Sequence, residues 1–476
     1  MKQQPNILFF FTDQQRWDTI GCYGQKLDVT PNLDRIAREG IKFEYAFTCQ
    51  PVCGPARSCL QTGRYATQTG CYTNGRALDV NMDTIAKQLK KSGYETAYVG
   101  KWHLASDRHK PGNHLYAADP IPLERCGGYE DYLAIADVLE ATSHGYNGYV
   151  FDKEGRKMEF TGYRADCITD YAIDYLNNRR SAQPFLLFIS YIEPHQQNDH
   201  GCYEGPIGSK ERFRDYEVPK DLTCGEFEGD WKENYPDYLG QCSSLDYNLG
   251  RIVDVLKEKG EYENTVIFYL SDHGNHFKTR EGEYKRQCFD SCLRIPLIIR
   301  GGEFRGGRTY TDLVSLINLP PTVMELAGLP VPPYMPESSL LHLLHDDEPW
   351  QEEVFYQISE TDCARGIRTK RFKYCVWAPH KQPVLRMNDK FSGHQYHYEM
   401  IPQCREGSET YIEQYLFDLV KDPLETNNLI EEPEYEKIRE KLRERLTFRM
   451  GLAGEDAPVI YPAGWKLEPE YSLKRQ

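Results

Sequence analysis

Four apolar runs in this chain each end in side chains able to do chemistry. Thr12-Asp13-Gln14-Gln15 follows the first. Gly100-Lys101-Trp102-His103, Glu193-Pro194-His195 and Ser271-Asp272-His273-Gly274 close the other three. Asp13, Gln14, Asp272 and His273 offer two carboxylates, an amide oxygen and an imidazole, a set suited to a divalent cation. Oxygen-rich ligation favours Ca²⁺ or Mg²⁺, and the imidazole admits Mn²⁺. Lys101, His103 and His195 supply positive charge and groups that can move protons. Taken singly, Asp13 could cap a helix and His195 could be a surface histidine. Four such endings on one rim are better explained by a shared site.

That rim needs a sheet to build it. Residues 6–12, 94–100, 185–190, 265–271 and 296–300 are short and nearly continuous in Ile, Leu, Phe, Val or Tyr, with 94–100 the weakest. Such runs predict strands buried on both faces, as in a parallel sheet. Helical spacing occupies 32–39, 83–91 and 245–257 between them. The fold class is therefore α/β, a mostly parallel central sheet sandwiched by helices. In such sheets ligands bind beyond the carboxyl ends of the strands, where the polar residues fall.

The character changes near residue 330. Residues 328–336 are proline-rich and read as a connector. Segments 353–358, 372–377 and 413–418 predict a small antiparallel sheet, and 435–450 a charged helix. The expected organisation is a catalytic domain over 1–345 and a smaller C-terminal domain over 346–476, containing that sheet and helix.

The chain has 476 residues, 57 Lys plus Arg against 72 Asp plus Glu, and a net charge of −15. This argues against a dedicated binder of nucleic acid or anionic membranes. No apolar run is longer than a strand, so no transmembrane helix is expected. No secretory pattern is seen, and the fifteen cysteines are scattered and odd in number. Together these predict a cytoplasmic protein with reduced thiols.

Between the first two runs lies Cys53-Gly54-Pro55-Ala56-Arg57, followed by Leu60-Gln61-Thr62-Gly63. Pro55 is tolerated in the first turn of a helix. Cys53 then sits at a helix N-terminus, where anionic groups are favoured, and Arg57 lies on the same helical face. The bland alternative is an unmodified buried cysteine. This stretch matches the C-x-P-x-R core of the type I sulfatases, in the alkaline phosphatase-like superfamily. The four strand endings also resemble that family, as do residues 294–300. The likeness covers about residues 5–330, with weaker traces at Leu416-Phe417-Asp418-Leu419 and Asp422-Pro423.

The resemblance implies that Cys53 is oxidised by a formylglycine-generating enzyme to Cα-formylglycine and is also a metal ligand. The aldehyde hydrates to a gem-diol. One hydroxyl attacks sulfur and displaces the alcohol; the other loses a proton and expels sulfate. By the same resemblance Arg57 and Lys101 steady the diol and the sulfate, and His103 takes the proton. His195 and Lys285 contact sulfate, and His195 protonates the leaving oxygen. Lys278 and Arg286 stand as alternatives to Lys285. The family often has a second aspartate at position 14 and asparagine at 273. Gln14 and His273 keep a ligand atom but change the charge or softness of the site.

The reading is a hydrolase of sulfate monoesters. The main alternative is a phosphonate monoester or phosphodiester hydrolase of the same superfamily; a non-catalytic sulfoglycan binder is disfavoured by the complete catalytic set. For substrate, family resemblance favours a sulfated carbohydrate, from glycosaminoglycans or other host glycans, over aryl or choline esters. Long polar stretches at 105–165 and 196–238 would overhang the site as specificity loops.

Overall fold

Ile7, Phe9 and Phe11 belong to one buried apolar cluster, Leu8 and Phe10 to another. Side chains alternate across a strand, so this segment needs cover on both faces. The computed structural model, which describes residues 4–110, 112–345, 349–379 and 405–465, supplies it. Strands Thr265–Ser271, Asn6–Thr12, Phe185–Ser190, Glu95–Lys101 and Tyr132–Ala136 lie side by side in that order, all parallel. Phe9 stacks between Phe188 and Phe268, with ring centroids at 5.0 and 4.7 Å. Burying each such ring contributes about 1.5–3 kcal/mol.

The edges of the sheet depart from the parallel expectation. Leu297–Arg300 runs antiparallel to both Thr265–Ser271 and Ile41–Phe47. Ile41–Phe47 carries Lys42 and Glu44 on half-buried positions, so it shows no continuous apolar run in the sequence. Arg308–Ser315 adds to its other side in parallel.

Helices Pro31–Glu39, Arg164–Asn178 and Trp231–Glu258 cover one face, and Cys53–Thr62, Ile85–Lys91 and Leu319–Leu326 the other. The helix expected at 245–257 starts fourteen residues earlier, at Trp231. Pro236 removes one backbone donor there, but buried Tyr235, Tyr238, Leu239 and Cys242 hold the early turns in place.

The second sheet joins Glu353–Ile358, Ala364–Thr369, Phe372–Trp377 and Thr410–Asp418 as antiparallel neighbours. Val459–Tyr461 adds a parallel edge, so the sheet is not purely antiparallel. Ala364–Thr369 escapes the sequence pattern because Arg365 and Arg368 occupy buried positions in it. Helix Glu436–Leu452 packs here through Leu442, Leu446 and Met450. One apolar cluster runs from Phe9 through Phe355, Ile367 and Tyr374 to Leu416, so the two sheets share a core. The proposed boundary at 345/346 abuts 346–348, which lie outside the described residues. Among the described residues no helix is long and apolar enough to cross a membrane.

Candidate active site

Backbone hydrogen bonds stitch three strand ends together. Tyr191 N–H donates to Phe11 O at 2.9 Å, Asp13 N–H to Glu193 O at 3.1 Å and Asp272 N–H to Thr12 O at 3.2 Å. Just past the strands, Gln14 and His103 take left-handed backbone angles, φ 67° and 62°. Such strain persists only where the surroundings fix it, and it clusters at functional sites. Gln14 is fixed on both sides. Its N–H donates to Asp272 Oδ1 at 2.9 Å, and its carbonyl accepts from Tyr238 Oη at 2.6 Å.

Cys53 is the first residue of helix Cys53–Thr62, entered from an extended Val52. Gly54 N–H donates to Asn74 Oδ1 at 2.8 Å, and a Cβ on Gly54 would sit 3.0 Å from that oxygen. Position 54 therefore favours glycine. Cys53 Sγ lies 3.0 Å from Lys285 Nζ, 3.3 Å from His273 Nε2 and 3.5 Å from Asp13 Oδ1.

Lys285 Nζ also lies 3.1 Å from His195 Nε2. His195 Nδ1 faces Gln196 O at 2.6 Å, and His273 Nδ1 faces Gly274 O at 2.9 Å. A carbonyl only accepts, so both Nδ1 atoms carry the hydrogen and both Nε2 atoms keep a lone pair. Arg57 donates to Asp13 Oδ2 at 3.0 Å, Lys101 O at 3.0 Å and Ser190 Oγ at 2.6 Å. Lys101 Nζ lies between Asp13 Oδ2 at 2.9 Å and Glu140 Oε1 at 3.1 Å.

The electrostatics follow from burial and these neighbours. Burial opposes ionisation of Asp13, but Lys101, His195, Lys285 and Arg57 outweigh it and hold the carboxyl well below its usual range. Burial and repulsion from Asp13 push Asp272 up to about 7. Burial, reinforced by Asp13, pushes the Cys53 thiol up to about 12. Burial would lower Lys101, yet Asp13 and Glu140 raise it. Burial, aided by nearby cations, drives His103, His195 and His273 well below the usual imidazole range, so these rings are neutral bases.

Ligating atoms of Asp13, Cys53, Asp272 and His273 all lie within 4.8 Å of one another, and all four residues are buried. Gln14 Nε2 is spent on Gln196 Oε1 and Tyr203 Oη, while its Oε1 is buried without a partner. Asp272 Oδ2 is buried without a hydrogen bond as well, with Arg57 Nη2 3.6 Å away. Unsatisfied buried oxygens beside carboxylates and an imidazole lone pair are what a divalent cation would complete, so the residues fit a metal.

All ten residues singled out from the sequence fall on this rim or in contact with it. His195 is buried rather than a surface histidine. His103 follows Lys101 by two residues, and its Nδ1 is buried without a hydrogen-bond partner. Lys278 pairs instead with Asp230, and Arg286 with Glu283 and Glu360, so Lys285 is the cation facing Cys53. Sequence reasoning missed Glu140, Ser190, Asn74, Gln196 and Tyr203. Only Gln196, next to His195, carried a signal, by adjacency.

A family model described as Sulfatase matches residues 5–329, and one described as N-sulphoglucosamine sulphohydrolase, C-terminal, matches 282–391. The chain is 30% identical to the uncharacterized sulfatase YidJ of Escherichia coli, over 93% of this chain and 86% of that protein. It is 26% identical to an N-acetylglucosamine-6-O-sulfatase of Bacteroides thetaiotaomicron, again over 93% and 86%. The solved structure of BT4656 in complex with its substrate D-glucosamine-2-N,6-O-disulfate shares the fold, with a TM-score of 0.71 at 24% identity over 96% of this chain and 99% of that one.

Proposed function

Because this chain belongs to the sulfatase family, we propose that it hydrolyses sulfate monoesters of a sulfated carbohydrate, with Cys53 as the precursor of its nucleophile. The observation that carries this reading is Cys53 itself, at a helix start, flanked by Lys285, His273 and Asp13 within 3.5 Å. The sugar assignment draws on the carbohydrate sulfatase among its relatives.

Oxidation of Cys53 to Cα-formylglycine by a maturing enzyme supplies an aldehyde whose hydrate carries the attacking oxygen. Asp13, Gln14, Asp272, His273 and the residue at 53 would hold Ca²⁺, with Mg²⁺ or Mn²⁺ as alternatives, whose positive charge favours an anionic oxygen there. Arg57 and Lys101 keep Asp13 ionised for that role. Lys285 presents its ammonium where sulfate oxygens would gather. His103, neutral and with an unpaired Nδ1, would accept the proton. His195 Nε2 faces the Lys285 ammonium at 3.1 Å and would relay a proton from it to the leaving oxygen, leaving the amine to be reprotonated from solvent.

Cys53→Ala tests the reading: turnover of a defined set of sulfated saccharides should fall by at least about 10⁴-fold while thermal unfolding is unchanged. Full activity in that variant would end it. Asp272→Ala should lose the bound divalent ion by metal analysis, and retained metal would show that the ligand set is misassigned. The contact of His273 with Cys53, at a position where the family resemblance leads one to expect asparagine, favours a second reading, a phosphonate monoester hydrolase. A higher kcat/KM on phosphonate than on sulfate monoesters would select it.

A further inference from the structure

A second set of ligating side chains lies on the surface, just beyond the loop that carries His195. His144 ends the short strand Ser143–His144, while Asp199 and His200 follow His195 along the chain. One ligating atom from each of His144, Asp199 and His200 lies within 4.8 Å of the others. The two imidazoles stack, with centroids 4.4 Å apart and planes 7° from parallel. His144 Nε2 is 2.8 Å from Asp199 Oδ2, and His200 Nδ1 is 2.5 Å from Glu204 Oε1. Glu204 is itself held, its Oε2 accepting from Gly145 N–H at 2.6 Å.

We propose that His144, Asp199 and His200 form a second divalent-metal site, for a borderline ion of the Zn²⁺ class. The carboxylates of Asp199 and Glu204 beside the two imidazoles concentrate negative charge that a dication would offset. Glu204 accepts the Nδ1 hydrogen of His200, leaving Nε2 with its lone pair. An imidazole backed by a carboxylate is the usual support of a metal-bound histidine. Two imidazoles and one carboxylate, with water in a fourth position, suit Zn²⁺. Ca²⁺ and Mg²⁺ prefer oxygen sets such as that around Asp13 and Asp272.

The site has a structural consequence. Gln197 Nε2 donates to Asp199 Oδ1 at 2.9 Å and to Glu140 O at 3.0 Å. An ion joining His144 to Asp199 and His200 would clamp the His195 loop against the segment whose Glu140 holds Lys101.

Zn²⁺ alone, titrated by calorimetry onto the full chain, tests this. Asp272→Asn removes one ligand of the buried site; Cys53, Asp13 and His273 remain, so the surface site is read as the equivalent that the His144 and His200 variants remove. One Zn²⁺ equivalent should persist in Asp272→Asn and vanish when His144→Ala or His200→Ala is added. Glu204→Gln, which removes a positioning residue, should weaken binding by about 10–100-fold. Co²⁺ should give tetrahedral visible bands in Asp272→Asn that His144→Ala abolishes. His144, Asp199 and His200 have side chains 40–57% exposed, so their variants should fold, and metal-free thermal unfolding checks this. Equal Zn²⁺ stoichiometry with and without His144→Ala would overturn the proposal. So would a Kd weaker than about 1 mM in Asp272→Asn, the range of ordinary surface histidines.

Discussion

Two clusters of buried charge in this protein are built differently. Around Lys373, in the strand Phe372–Trp377, the ammonium has no exposed surface and is gripped by Asp290 at 2.6 Å and by Glu425. Glu425 also accepts from Asp290 N–H at 2.7 Å, and Asp290 Oδ1, though without a hydrogen bond, is ion-paired with Lys373, so each charge of the group meets an opposite one. Around Cys53, Asp13 is likewise gripped by Lys101 and Arg57. There, however, Gln14 Oε1, Asp272 Oδ2, Glu140 Oε2 and His103 Nδ1 are all buried without hydrogen-bond partners. A cluster that serves only the fold pairs its charges within the chain. One left open at a strand rim is waiting for a partner from solution. Charge at Lys373 should therefore matter for stability, and charge at Lys101 for chemistry.

Lys373→Ala should show the largest stability effect, because it leaves two carboxylates buried without their cation. A loss of about 3–5 kcal/mol in denaturant unfolding is expected, with kcat per folded molecule unchanged. Unaltered stability with collapsed activity would break the comparison. Lys101→Ala should do the reverse, lowering kcat/KM by about 10²–10³-fold. Its stability cost should be smaller, because Arg57 still faces Asp13. His195→Ala sharpens the contrast within the site. Its loss should be about a hundredfold for a sugar sulfate and smaller for an aryl sulfate, since a phenolate leaves with less need of a proton. Equal losses on both substrates would restrict His195 to binding sulfate.

Much of the open cluster was legible before the fold was known. Strands buried on both faces announce themselves as continuous apolar runs, so the residues that end them can be picked out. The closed cluster was not legible. Lys373, Asp290 and Glu425 lie in three separate segments, and a lysine within a strand ordinarily reads as solvent-facing. Arg365 and Arg368 hid the strand Ala364–Thr369 for the same reason.

The sequence by itself determined the parallel core strands, the polar residues at their carboxyl ends and the helical pairing of Cys53 with Arg57. All of these follow from short-range periodicity, which the chain carries locally. Only the tertiary structure decided that Lys285, and not Lys278 or Arg286, faces Cys53. It alone brought Glu140 to Lys101 and set His144 against His200, fifty-six residues apart. These choices depend on the paths of loops, which repeat no pattern. They are fixed instead by which buried charges and carbonyls must find partners once the sheet has closed.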